Sequence, residues 1–353
     1  MDTAPTLDHE TIALTEAGLR SWLRSGAAQT PAGAFVAWLE PATGAKAFEY
    51  PEITGYALTY LAGLADIGAP AGDLASAVAA AHWLVTRLDA GNLAAREGWD
   101  QNAEYLFDLG IIATGLLMLG DRISSDRYLA AGLRLVSRLR TELAGNGISA
   151  LTRAGPRSTR NSWSTVGTAH LAKLVQCFLL AADQTMPDVR AIPERLIEAV
   201  KRIQGHNGRI PTHPEHAVML HPHLYAAEGL WIWGTASGDA DAVERARVAL
   251  AWTWEHQLET GGLPRSETID TEQTDVTTQA VRLSLALNER GPALDRALIR
   301  ITELARKTPG GLALVYRPNP GNEHLNTWAT LFGAQALALA APRAPALSWR
   351  TIV

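Results

Sequence analysis

Four carboxylates in this sequence stand where a charge is either costly or useful. Glu228 lies inside an apolar stretch, LYAAEGLWIWG, and Asp108 inside EYLFDLGII. An unpaired carboxylate in such surroundings is expensive, so each must be paired, protonated or turned to a cavity. Arg282, in QAVRLSLAL, is the opposite charge in a similar setting. A buried ion pair among these is the structural alternative to a reactive group. Glu52, in PEI, and Asp275, in TDVTTQ, stand where apolar helices begin, and there a dipole partner or an N-cap explains an acid equally well. Two carboxylates flanking a bond can hydrolyse a glycoside, one as general acid and the other as base or nucleophile. Glu52 and Asp275 are the favoured pair by position, with Glu228 as the alternative acid, since burial raises a carboxyl pKa.

Five of the ten histidines fall within residues 206–223: His206, His213, His216, His221 and His223. Imidazoles suit proton transfer or substrate binding near neutral pH. His221-Pro222-His223 offers two metal ligands, but a third would have to come from elsewhere and no HExxH pattern is present. No metal is therefore expected. The one cysteine, Cys177, can form neither an intrachain disulfide nor a cysteine zinc site. It reads as a small buried hydrophobe.

These groups must be positioned by helices, and the helices come in two kinds that alternate with a period of roughly 50–60 residues. One kind is amphipathic, with Arg, Glu and Lys on one face, over 15–24, 71–89, 125–143, 192–203, 240–258 and 292–307. The other is nearly uncharged and rich in small residues, over 52–65, 104–119, 164–182, 223–236, 275–288 and 326–340. A helix that is apolar all round is buried all round. Between the two kinds run glycine turns followed by short extended segments: GAFVAWL, GNLAAR, GNGISALTR, GHNGRIPT, GGLPRS and GGLALVYR. Six charged-face helices alternating with six apolar ones make a double ring, an all-α (α/α)6 toroid with short β segments in its loops. The expected organisation is one domain over residues 1–353. An open helical solenoid is the rival arrangement.

In a ring, the starts of the six apolar helices share one mouth. The residues there are far more polar than the helices behind them. They include Tyr50 and Glu52, then 99–105 leading to Asp108, and 160–164 with Trp163. His221, His223 and Tyr225 precede Glu228, and Asp275 precedes Arg282. His324, Asn326 and Trp328 open the last helix. Carboxylates, imidazoles, amides and flat rings together suit sugar hydroxyls and sugar C–H faces. Asn326 is also an N-cap candidate, and Trp163 and Trp328 serve equally as packing. Eleven tryptophans against five phenylalanines fit either a helical core or ring-stacking platforms.

The helix-turn-Gly-Gly rhythm resembles the α/α-toroid enzymes. These comprise the six-hairpin glycosidases, with their epimerase and lyase relatives, and the terpenoid-cyclase-like toroids. YPEITGY and EHLNTWATLFGAQAL look like segments of uncharacterised toroid proteins associated with bacterial polysaccharide genes. The resemblance is architectural and implies a fold rather than an activity. The aspartate-rich motifs of prenyl-diphosphate enzymes and class II terpene cyclases are missing, which weakens the terpenoid branch. The cysteines with which LanC-like toroids hold zinc are missing too.

Several function classes are set aside. A net charge of −5 without a basic run argues against nucleic acid as a partner. No uninterrupted apolar run reaches membrane-spanning length, and the polar N-terminus does not resemble a signal peptide. The cytoplasm is the expected location. Dinucleotide, phosphate-loop and nucleophile-elbow motifs are lacking, and no cofactor is expected. The leading expectation is a glycoside hydrolase acting on a small-molecule or oligosaccharide substrate. The alternative is a sugar epimerase, isomerase or polysaccharide lyase using His221, His223, Tyr225 or His324 as acid and base, with Arg282 or Asn326 holding a carboxylate or carbonyl. A non-catalytic saccharide-binding protein and a terpenoid-cyclase-like enzyme are further alternatives.

Overall fold

The computed structural model describes the chain apart from residues 1–7, 69–73, 94–102, 146–149, 154–161, 185, 187–189, 319–322 and 343, and the side chains of 151–153. Parts of the GNLAAR and GNGISALTR segments, and the polar residues 99–102, 160 and 161, thus lie outside the described residues.

Charged-face and apolar helices alternate along the chain as expected. The first pairs are α1 (His9–Arg24) and α2 (Pro51–Gly63), then α3 (Ala75–Asp89) and α4 (Leu106–Arg122). The helix α5 (Asp126–Leu143) precedes a broken element made of α6 (Trp163–Val166), a 3-10 segment (Ala169–Leu174) and α7 (Val175–Gln184). Then come α8 (Ala191–Ile203) and α9 (Leu220–Ser237), α10 (Ala240–Trp254) and α11 (Thr274–Ala286), α12 (Pro292–Leu304) and α13 (Thr327–Leu339).

The apolar helices touch in the order α2, α4, α7, α9, α11, α13, and α13 touches α2 again. That return closes the inner ring and rules out the open solenoid. Each of α2, α4, α7, α9 and α11 packs on the charged-face helix that follows it, and α13 packs on α1. The fold is therefore the (α/α)6 toroid. Small residues permit the inner ring's close spacing: a Cβ on Gly115 would lie 2.4 Å from the Gly55 carbonyl oxygen, and one on Gly229 2.5 Å from that of Ala172. Among the described residues, no helix is long and apolar enough to cross a membrane.

The third inner element departs from the single helix expected over 164–182. At Gly167 the backbone is extended, and a Cβ there would stand 2.1 Å from the Thr212 carbonyl oxygen. The helix breaks at that point, and the lack of a side chain lets the backbone approach the fourth loop closely.

Among the described residues, four of the six glycine segments carry short strands. Two-residue β1 (Trp38–Leu39) comes from the first loop, and β2 (Glu104–Tyr105) pairs with β3 (Leu151–Arg153). Two hairpins follow, β4 (Pro264–Ser266) with β5 (Ile269–Glu272) and β6 (Ala305–Thr308) with β7 (Gly311–Leu314). The last strand, β8 (Leu325–Asn326), pairs antiparallel with β1, Trp38 opposite Asn326. The first and sixth loops are thus stitched where the ring closes. The GHNGRIPT segment forms no strand. Its Gly208 has φ 92°, and a Cβ there would meet the Val248 carbonyl oxygen at 2.2 Å. Local hydrogen bonds from Gly208 N–H to the Gly205 carbonyl and from Gly205 N–H to the Arg209 carbonyl, both 2.9 Å, close that turn, and glycine permits the approach.

Candidate active site

Five inner helices start in the same register. The N-cap residues of α2, α4, α9, α11 and α13 are Tyr50, Tyr105, Met219, Gln273 and Asn326. All five line one pocket of about 440 Å³ at the loop end of the ring, and so do the residues two positions later: Glu52, Phe107, His221, Asp275 and Trp328. The volume falls in the small-ligand range. Asp108, Trp163, Ser164, His170, Tyr225, Arg265, Tyr316, Arg317, His324, Trp38 and Phe48 complete the lining. Every repeat contributes, so the six long loops share one face.

Four residues after the cap the side chain turns away from the axis. There Thr54, Thr277 and Thr330 accept hydrogen bonds from the loop N–H groups of Phe35, Leu263 and Leu314 at 3.0, 2.8 and 3.0 Å. On α9 this position is His223, whose Nδ1 accepts from Ile210 N–H at 3.2 Å. Its Nε2 must then carry the proton, which it donates to the Ala249 carbonyl at 3.1 Å. Burial pushes its pKa down to about 4. His223 is fully buried and does not line the pocket. The expectation of an acid–base role for it is corrected: it is a loop anchor.

Glu228 and Arg282 are also corrected. Both stand nine residues after their caps, fully buried, in a layer below the pocket. Glu228 Oε1 accepts from Arg282 Nη2, and its Oε2 accepts from Lys173 Nζ at 2.9 Å. Burial alone would raise the Glu228 pKa, but the two cations bring it below the usual range. It is an ionised structural anion with no path to substrate. Lys173 was not anticipated. Burial lowers it to about 8 against the pull of Glu228.

Ten of the anticipated residues do share the pocket: Tyr50, Glu52, Asp108, Trp163, His221, Tyr225, Asp275, His324, Asn326 and Trp328. Glu52 accepts from the Trp328 indole N–H at 3.2 Å. One Asp275 oxygen accepts from Val276 N–H at 3.0 Å, and the other lies 3.9 Å from His221 Nδ1. Asn326 caps α13, accepting from Ala329 N–H at 2.8 Å, so cap and lining coincide. Burial holds the His221 pKa low despite Asp275, and it holds that of His324 low as well. His170 is pushed down to about 3 by burial and by His221. Burial raises Tyr225 and Tyr316, aided by Tyr56 and Asp275 respectively. At neutral pH the pocket therefore presents neutral imidazoles and protonated phenols.

One wall is a run of rings. His324 lies between Trp38, at 4.7 Å, and Tyr316, at 4.9 Å, and the Arg317 guanidinium covers Tyr316 at 4.7 Å. Arg317 and Arg265 have no carboxylate partner among the described residues. Both were missed in the sequence. They follow the glycine turns GGLPRS and GGLALVYR, and only the loop geometry turns them inward. Elsewhere, His213 and His216 stack on each other at 4.0 Å. Among the described residues no three metal-ligating side chains converge.

No family model matches the chain, and no curated protein matches it in sequence. Solved structures do match in fold. The unsaturated glucuronyl hydrolase from Bacillus sp. GL1, responsible for glycosaminoglycan degradation, superposes with a TM-score of 0.70, covering 97% of this chain and 99% of its own at 14% identity. An unsaturated glucuronyl hydrolase specific for heparin gives 0.71, over 95% and 98%, at 12% identity. A sugar epimerase from a ruminal bacterium gives 0.70, over 93% and 99%, at 12% identity. At such identities the likeness is one of fold.

Proposed function

We propose that this protein is a carbohydrate-active enzyme that takes the terminal residue of an oligosaccharide into the ring mouth and hydrolyses its glycosidic bond. The observation that carries this reading is the convergence of Glu52, Asp108 and Asp275, from three separate inner helices, in one aromatic-walled pocket. Glu52 and Asp275 form the working pair. One protonates the departing oxygen and the other activates water or attacks the sugar carbon. The Trp328 indole fixes Glu52, and His221 stands beside Asp275. Arg265 and Arg317 favour a sugar bearing a carboxylate, which a guanidinium binds well. The glucuronyl hydrolases of the same fold accord with that preference.

A second reading, epimerisation, rests on His221 and His324. Both are kept neutral and both line the pocket, which suits proton removal and return. Mass spectrometry of products separates the two. The protein is incubated with saturated and unsaturated uronyl disaccharides and with neutral disaccharides. Products that gain the elements of water, lost in Glu52→Gln and Asp275→Asn, support hydrolysis. An unchanged mass with a new stereoisomer, lost in His221→Asn, supports epimerisation. Full hydrolysis by both carboxylate variants would overturn the assignment of the pair.

A further inference from the structure

The end of the ring opposite the pocket is covered by residues 347–353, and their attachment is specific. Gln176, on the third inner element, donates through Nε2 to the carbonyl oxygens of Trp349, Arg350 and Ile352 at 3.1, 3.0 and 2.9 Å. Gln335, on the sixth, donates to the Thr351 carbonyl at 2.7 Å and accepts from Val353 N–H at 3.1 Å. The third and sixth elements stand opposite each other in a six-membered ring, so the segment is gripped between them from two sides. A Cβ on Gly63 of α2 would meet Thr351 at 3.1 Å, and Ile352 and Val353 are fully buried. Lys173 Nζ reaches the Val353 main-chain oxygen at 3.3 Å as well as Glu228, which Arg282 of α11 holds from the other side.

This one short segment therefore touches α2, α7 and α13 directly, and α9 and α11 through Lys173 and Glu228. Its anchors are buried amides and an ammonium, which are costly to leave unpaired. A merely covering segment would need only apolar contact. Directly above the Glu228–Arg282 layer lie Tyr56, Tyr225, Gln279 and Phe332, and above them the pocket residues His221 and Asp275.

We propose that residues 348–353 act as a brace across the base of the ring, and that their seating sets the order of the pocket floor through the buried Lys173–Glu228–Arg282 relay. Releasing the brace lets water reach Lys173 and loosens α9 and α11 at the level that supports His221, Tyr225 and Asp275. None of the anchoring residues lines the pocket, so the effect is transmitted rather than direct.

The test is hydrogen exchange, read by mass spectrometry, on the full chain and on Gln176→Leu, Gln335→Leu and their double variant. Circular dichroism establishes that each variant retains its helices, and if the double variant unfolds the single variants carry the test. The expected result is loss of protection at 348–353, accompanied by at least tenfold faster exchange in the peptides covering 220–237 and 274–286, with α5 and α10 unchanged. Faster exchange confined to 348–353 would overturn the proposal, leaving the segment a passive cover. Unchanged exchange at 348–353 would overturn it as well, because the two glutamines would then not hold it. Neither outcome bears on the carbohydrate reading.

Discussion

Replacing Glu228 by Gln leaves Lys173 and Arg282 facing an uncharged amide in a fully buried layer. Removing one member of a buried ion pair typically costs about 3–5 kcal/mol. Lys173 gives this loss a characteristic pH dependence. In the intact protein it titrates at about 8, and in the unfolded chain at its ordinary 10.5. Below pH 8 it is protonated in both states and contributes no slope. Without Glu228, burial and the Arg282 charge both act to lower it, so its folded pKa drops further. The folded variant then holds Lys173 neutral at pH values where the unfolded chain holds it charged. The unfolded state binds more protons, so the variant loses stability as pH falls, by about 1.4 kcal/mol per pH unit. The difference between variant and parent should be flat above pH 8 and widen below it. Urea denaturation of both proteins between about pH 6 and 9 measures this. A difference that is constant, or that widens with rising pH, would refute the placement of Lys173 against Glu228.

His223→Leu should cost about 2 kcal/mol, since the Ile210 N–H and the Ala249 carbonyl lose their partner. It should also remove a slope of about 1.4 kcal/mol per pH unit, because a histidine buried neutral weakens the fold as pH falls from 6.5 towards about 4. Loss of turnover at unchanged stability would restore an acid–base role to it. Gly229→Ala drives a Cβ to within 2.5 Å of Ala172 and should lower stability by about 1–3 kcal/mol. A Tm equal to the parent's would contradict the close packing of α9 on the third inner element. Arg317→Met should raise KM for a uronyl disaccharide by about tenfold or more, as loss of a charged hydrogen bond implies. Neutral disaccharides should be unaffected, and equal effects on both would remove the carboxylate preference.

The ring itself was legible because its cause is local. Charged-face and apolar helices differ in composition, and their alternation needs no tertiary information. The site was legible only as far as the helix starts. Glu52, His221, Asp275 and Trp328 all stand two residues after a cap, and aligning the helices on their caps would have separated His221 from His223. Clustering in sequence obscured this, since two residues apart on a helix means different faces. Glu228 and Arg282 stand out in the sequence as charges in apolar helices, and their shared distance of nine residues from the cap places them in one layer. Their partner Lys173 lies in a 3-10 segment that follows the extended backbone at Gly167, a break with no clear sequence signature. Arg265 and Arg317 come from loops, where no periodicity reports direction. The Gln176 and Gln335 anchors bond to the main chain of residues 349–353, a pairing with no sequence signature.

The most direct measurement is the crystal structure of Glu52→Gln soaked with a uronyl disaccharide. The terminal sugar is expected between position 52 and Asp275, against the Trp328 ring, with its carboxylate towards Arg317 and its second residue leading out of the mouth. A sugar bound on the outer helices or beneath the ring, with the pocket empty, would contradict that placement.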